Sequence, residues 1–203
     1  MKKWTALLLI ALVAFGTLAL VGCQKEKETL VVGTSAGFRP FEYREKGEVT
    51  GFDIDLMKAI GEELGREVEV KDMDFDALIE AVSTETIDVI AAGMTITDER
   101  EEQVDFTDPY FSADQAILVR EASNISVDDP AEIDSADYTI GVQNDTTGAI
   151  WVDENASSAE IRKYGKYIET IQDLENENLD MIVRDTPAAE ACAPHPHVKL
   201  VNA

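Results

Sequence analysis

Residues 88–111 read DVIAAGMTITDEREEQVDFTDPYF, and the elements on either side can be placed from them. Val89, Ile90 and Ala91 form a short apolar run of the kind a strand shows when both its faces are covered. Gly93 ends that run where the backbone must turn sharply or approach something closely. Thr97 followed by Asp98 and Glu99 reads as an N-cap with acids in the first turn, so Arg100 sits at the start of a new helix and reaches back over the strand end. A planar, permanently charged fork suits a carboxylate held by two parallel hydrogen bonds, with the Thr95 hydroxyl and the Gly93 backbone nearby. On the residues alone, a solvated arginine paired with neighbouring acids is the competing reading.

Upstream, Leu30-Val31-Val32 is a buried-type strand, and the loop Thr34 to Phe41 leaves its carboxyl end. Ligands of open α/β sheets lie beyond such ends, so this loop should face the Gly93 turn. Glu45 to Glu48 is a hairpin turn; a helix follows with Leu56, Met57, Ile60 and Leu64 on one face and Gly65 as its C-cap. Glu67 to Val70 alternates as a strand, and Leu78, Ile79 and Val82 mark a second helix. Strand, helix, strand, helix, strand predicts a parallel sheet.

Downstream, Gln115 to Val119 is an apolar strand, and the acidic stretch Glu121 to Asp137 follows a lobe boundary. The alternation then repeats, with strands at Tyr138–Val142, Ile161, Met181–Val183 and Val198–Val201, and helical faces at Thr147–Val152 and Ile168–Leu174. Thr146-Thr147-Gly148 opens a helix whose free N–H groups attract anions. Asp185 stands just past the Met181 strand, where before Thr186-Pro187 it also reads as a helix cap. The expected fold is α/β and two-lobed, each lobe a mainly parallel sheet flanked by helices, with lobe 1 over residues 30–114 and a hinge strand and lobe 2 over 115–203.

The 203 residues carry 41 Asp plus Glu against 17 Lys plus Arg, a net charge of −24 that makes nucleic acid a poor partner. The excess fits a high-salt habitat and an ordinary acidic surface equally well. Lys2 and Lys3 precede an apolar run from Ala6 to Val21, the layout of a secretory signal over residues 1–22. Leu20-Val21-Gly22-Cys23 resembles a lipobox, which implies lipidation of Cys23, a tether over 23–29 and a fold outside the cytoplasm at the membrane face. An uncleaved anchor helix is the other reading of that run.

Ala92-Gly93-Met94-Thr95-Ile96-Thr97-Asp98-Glu99-Arg100 and Val104-Asp105-Phe106-Thr107-Asp108-Pro109-Tyr110 resemble the two most recognisable runs of the family 3 extracellular solute-binding proteins, the polar amino-acid receptors of ABC importers. The similarity extends from about Leu30 to the last residues. It implies a type II periplasmic-binding-protein fold, a monomer that delivers an amino acid to a membrane permease, no catalysis, and no metal or cofactor. It further implies that Arg100 binds the ligand carboxylate and Asp185 its ammonium from the opposite lobe, with Ser35, Phe38, Phe52, Gly93, Thr95, Thr146 and Thr147 around them. Phe38 and Phe52 also read as core aromatics.

Ser35 stands where several relatives with basic or amide ligands place an acid, so a cationic ligand is not expected. Arg184 reads equally as a partner for an amide or acidic side chain and as a solvated charge. Two departures bear on these expectations. The chain stops before the family's returning strand and terminal helices, as a fragment or a natural truncation, and Asp145 replaces a common loop glycine. A cyclohexadienyl dehydratase-like enzyme and an amino-acid-sensing domain are the alternatives on the same fold. Cys192, His195 and His197 have suggestive metal-ligand spacing, but their prolines oppose convergence.

Overall fold

A computed structural model describes residues 29–192 and 197–202. The signal run, Cys23, the tether up to Glu28 and His195 lie outside the described residues. No helix among the described residues is long and apolar enough to cross a membrane.

The first lobe opens with β1 (Thr29–Thr34), the hairpin β2 (Tyr43–Glu45) and β3 (Glu48–Thr50), and helix α1 (Phe52–Leu64). It continues with β4 (Glu67–Asp72), α2 (Leu78–Ser83), β5 (Val89–Ile90) and the short α3 (Asp98–Glu101). The order β4-β1-β5, all parallel, matches the predicted crossovers. Lys46 and Gly47 both take positive φ in the two-residue hairpin, as expected there.

The helical stripe of α1 differs from the predicted one. Ile54, Met57 and Gly61 are buried, whereas Ile60 is 39% and Leu64 57% exposed. Gly61 is the cause: a Cβ there would lie 2.4 Å from Val68 Cγ2, so α1 docks on the sheet through its glycine and turns Ile60 and Leu64 aside. Gly65 closes the helix at φ 66°, with Arg66 N–H donating to the Gly61 carbonyl at 2.8 Å.

The second lobe contains β6 (Gln115–Arg120), β7 (Thr139–Gln143), α4 (Thr147–Asn155), β8 (Glu160–Tyr164), α5 (Tyr167–Glu175), β9 (Met181–Asp185), α6 (Thr186–Cys192) and β10 (Val198–Asn202). Its five strands run β10-β6-β9-β7-β8. The β7–β8 and β7–β9 pairs are parallel, as predicted, while β6 pairs antiparallel with both β9 and β10. The apolar strand expected to link the lobes thus lies in the second sheet.

Alternation explains the continuous apolar runs. Ile117, Val119, Met181 and Val183 face α4, while Ala116, Leu118 and Ile182 face α5 and α6, so two cores cover both sheet faces. On α5, Tyr167, Thr170, Ile171 and Leu174 are buried and Ile168 points outward.

Candidate functional site

The carboxyl ends of β1 and β5 meet those of β7 and β9, and the residues expected from the sequence, Phe52 excepted, gather there. Gly93 sits at φ 53° and its N–H donates to Asp53 Oδ2 at 2.9 Å. A Cβ at this position would stand 2.9 Å from the Phe38 ring, so both conformation and closeness require glycine. Asp53 is fully buried at the start of α1, and its second oxygen accepts from the Tyr110 hydroxyl at 2.9 Å. Burial and the Asp53 charge push the Tyr110 phenol far above its ordinary pKa. This fastening was not foreseen, because Asp53 reads in sequence as an ordinary acid of a first helical turn.

Thr97 caps α3, accepting the Arg100 N–H at 3.3 Å. Arg100 is only 6% exposed, which removes the solvated-charge reading. Its Nη1 donates to the Thr95 carbonyl at 2.6 Å, and its Nη2 donates to the Asp145 carbonyl of the second lobe at 2.6 Å. The contact with Thr95 is thus made by its backbone, and the Gly93 N–H is already taken. Burial lowers the Arg100 pKa, against the charges of Asp145, Asp185 and Glu99. Asp145 does adopt the left-handed conformation that the missing glycine would favour, at φ 56°.

On the second lobe, Thr146 caps α4, its hydroxyl accepting from Ala149 N–H at 3.2 Å and donating to the Gln143 carbonyl at 2.9 Å. The Gln115 amide bridges Asp185 and Thr147, with Nε2 in a short contact to Asp185 Oδ1 and 3.3 Å from Thr147 Oγ1. Burial raises the Asp185 pKa, while Gln115, Arg184, Arg100 and Thr147 oppose the rise. Arg100 and Asp185 are near enough for each to shift the ionisation of the other. Gln115 carries no recognisable signature, and only its place at the head of an apolar strand hinted at it.

Ser35 is buried and its hydroxyl accepts from Gln143 Nε2 across the lobes at 3.2 Å. Phe38 lies over Gly93 and stacks on Phe41, centroids 5.6 Å apart. Phe52 is not brought to this group: it is 51% exposed and packs against Phe41 and Tyr110. A groove of about 730 Å³ runs between β5 and residues 103–113 and reaches the site at Phe38, Gly93, Thr95 and Asp185. A second set of bonds ties the lobes beside the site. Lys166 Nζ donates to Asp72 Oδ1 at 2.8 Å and to the Met73 carbonyl, and Asn144 Nδ2 donates to Asp76 at 3.0 Å.

Residues 30–177 match the bacterial extracellular solute-binding proteins, family 3. The arginine-binding extracellular protein ArtP of Bacillus subtilis is 41% identical over 147 residues, 70% of this chain and 56% of that protein, so the match spans little more than half of its length. An ancestral arginine-binding protein, solved with arginine and with glutamine, is 41% identical and superposes with TM-scores of 0.81 and 0.82, covering 87% of this chain and 79% of that one. An ancestral amino acid-binding protein described as a precursor of cyclohexadienyl dehydratase is 37% identical, with a TM-score of 0.81 over 86% of this chain and 77% of that one.

Proposed function

The chain belongs to the family 3 bacterial extracellular solute-binding proteins, and from that premise we propose that it binds a polar α-amino acid between its lobes for delivery to an ABC permease. Arg100 takes the α-carboxylate and Asp185 the α-ammonium. Ser35, Phe38, Gly93, Thr95, Thr146 and Thr147 form the walls, while Phe52 contributes only through Phe41. The protein acts as a monomer outside the cytoplasm, tethered through Cys23.

One observation carries this reading. A buried guanidinium of the first lobe ends on the second lobe's backbone, beside a half-buried carboxylate whose charged form burial disfavours. A zwitterion supplies the missing charge to each and stabilises the closed pair of lobes. The Thr95 and Asp145 carbonyls, one from each lobe, hold the fork in place.

Isothermal titration calorimetry of the full chain against the twenty amino acids, with a prephenate turnover assay beside it, tests the proposal. Saturable one-to-one binding of an amino acid without turnover supports it. Turnover of prephenate, or a folded protein that binds no amino acid, overturns it.

A further inference from the structure

Arg184 and Asp185 are consecutive residues at the carboxyl end of β9, so their side chains leave opposite faces of the sheet. Asp185 joins Gln115 and Thr147 on the α4 side. Arg184 emerges over α5, its guanidinium carbon 3.1 Å from the centroid of the Tyr167 ring and 5.5 Å from that of Phe38. It is 5% exposed, so it is not a solvated charge. Its Nη2 crosses to the first lobe and donates to the Gly37 carbonyl at 3.3 Å, and its Nη1 meets Cys192 Sγ at 3.5 Å, both long contacts.

These bonds leave the group incompletely satisfied. Arg184 Nε is buried without a hydrogen-bond partner. No carboxylate among the described residues makes an ion pair with Arg184. Glu42 and Asp185 both feel the Arg184 charge, but burial and Asp53 push the Glu42 pKa well up, which disfavours the charged form of its carboxyl. Asp72, on the first-lobe side, is already engaged by Lys166 and Arg44. A buried guanidinium with an idle donor and no anion is costly in isolation, and a bound anion removes the deficit.

We propose that Arg184 receives a second carboxylate, so that the ligand is a dicarboxylic amino acid, glutamate or aspartate. The inference rests on the amino-acid-binding reading above and adds the side-chain class. Arg100 and Arg184 then hold the two carboxylates, with Asp185 on the ammonium between them. A cationic side chain placed beside Arg184 meets a like charge, since Ser35 supplies no acid and burial disfavours the charged form of Glu42.

Calorimetry of the full chain with L-glutamate, L-aspartate, L-glutamine, L-arginine and L-histidine tests this. The expected result is that glutamate or aspartate binds at least tenfold more tightly than arginine and histidine. Arg184→Met should then weaken the preferred acid by at least tenfold more than it weakens glutamine, and Arg184→Lys should retain part of the preference. Tighter binding of arginine or histidine to the wild-type chain overturns the proposal while leaving the amino-acid reading intact. Failure of every amino acid overturns both. The wild-type ranking decides the matter even if Arg184→Met does not fold.

Discussion

Arg100 Nη2 lies 2.6 Å from the Asp145 carbonyl, so the only buried cation of the first lobe's Gly93 turn is also a strut between the lobes. The bond uses a backbone oxygen that exists in any sequence, provided Asp145 holds its left-handed conformation. The same fork is therefore available to a ligand carboxylate, which would displace neutral oxygens in favour of a charged one.

Arg100→Ala should abolish most ligand binding. Leaving a desolvated carboxylate unpaired costs about 2 to 5 kcal/mol, roughly thirtyfold to several thousandfold in affinity. Calorimetry reads this directly, and near-normal affinity in a folded variant removes Arg100 from the site.

Gly93→Ala should lower stability. The backbone is in the left-handed region and the new Cβ would stand 2.9 Å from the Phe38 ring, so strain of about 1 to 3 kcal/mol is expected. Urea unfolding should show an earlier midpoint with an unchanged slope. A midpoint at the wild-type value would mean that the turn relaxes freely.

How far the site was legible follows from these residues. Arg100 could be placed because Thr97 caps the helix before it, a local rule with a fixed offset. Gly93 was visible because glycine interrupts an apolar run. Asp53, Gln115 and Gln143 were not, because their roles depend on partners 32 to 108 residues away and no short motif encodes such pairings. The exposed Ile60 and Leu64 show the same limit within one helix: periodicity proposed the stripe, and the close approach at Gly61 set its rotation.

Asp185 should make affinity pH-dependent. Burial raises its pKa from the ordinary carboxylate value, and a ligand ammonium favours the ionised form, so binding expels a proton below that raised pKa. Affinity should fall as pH drops through that pKa and level off above it. Asp185→Asn should bind weakly throughout, with this pH dependence lost. Calorimetry from about pH 4 to about pH 8 separates the two curves.

Lys166→Ala should loosen the closed state. The ion pair with Asp72 is partly screened by solvent, so its share is about 1 kcal/mol or less, roughly fivefold in the equilibrium between open and closed lobes. Burial raises the Asp72 pKa, but hydrogen bonds from Lys166, the Ala36 N–H and Arg44 outweigh it and the net shift is downward. The contribution is therefore present above the unfolded carboxylate value and lost as pH falls through the lower folded one. Small-angle scattering of the ligand-free variant should give a larger radius of gyration than the wild type at neutral pH. Equal radii would assign closure to the remaining contacts between the lobes, those of Arg100, Ser35, Asn144 and Arg184.

Glu42→Gln should flatten the pH dependence of stability. Glu42 is 1% exposed, and burial, then the Asp53 charge, hold its pKa well above 4.5 despite the Arg184 guanidinium. The folded chain thus holds this proton to a higher pH than the unfolded chain, which releases it at the ordinary carboxylate value. For such a group the stabilising contribution is complete below the unfolded pKa and is lost as pH rises through the folded one. Glutamine has nearly the same shape, carries no charge at any pH, and retains an N–H for the Asp53 carboxylate. Urea midpoints of the wild type should therefore decline as pH rises above the unfolded value, whereas those of Glu42→Gln should decline less, leaving the variant equal or superior at neutral pH. Parallel declines in the two proteins would show that Glu42 ionises without cost and that another group sets the slope.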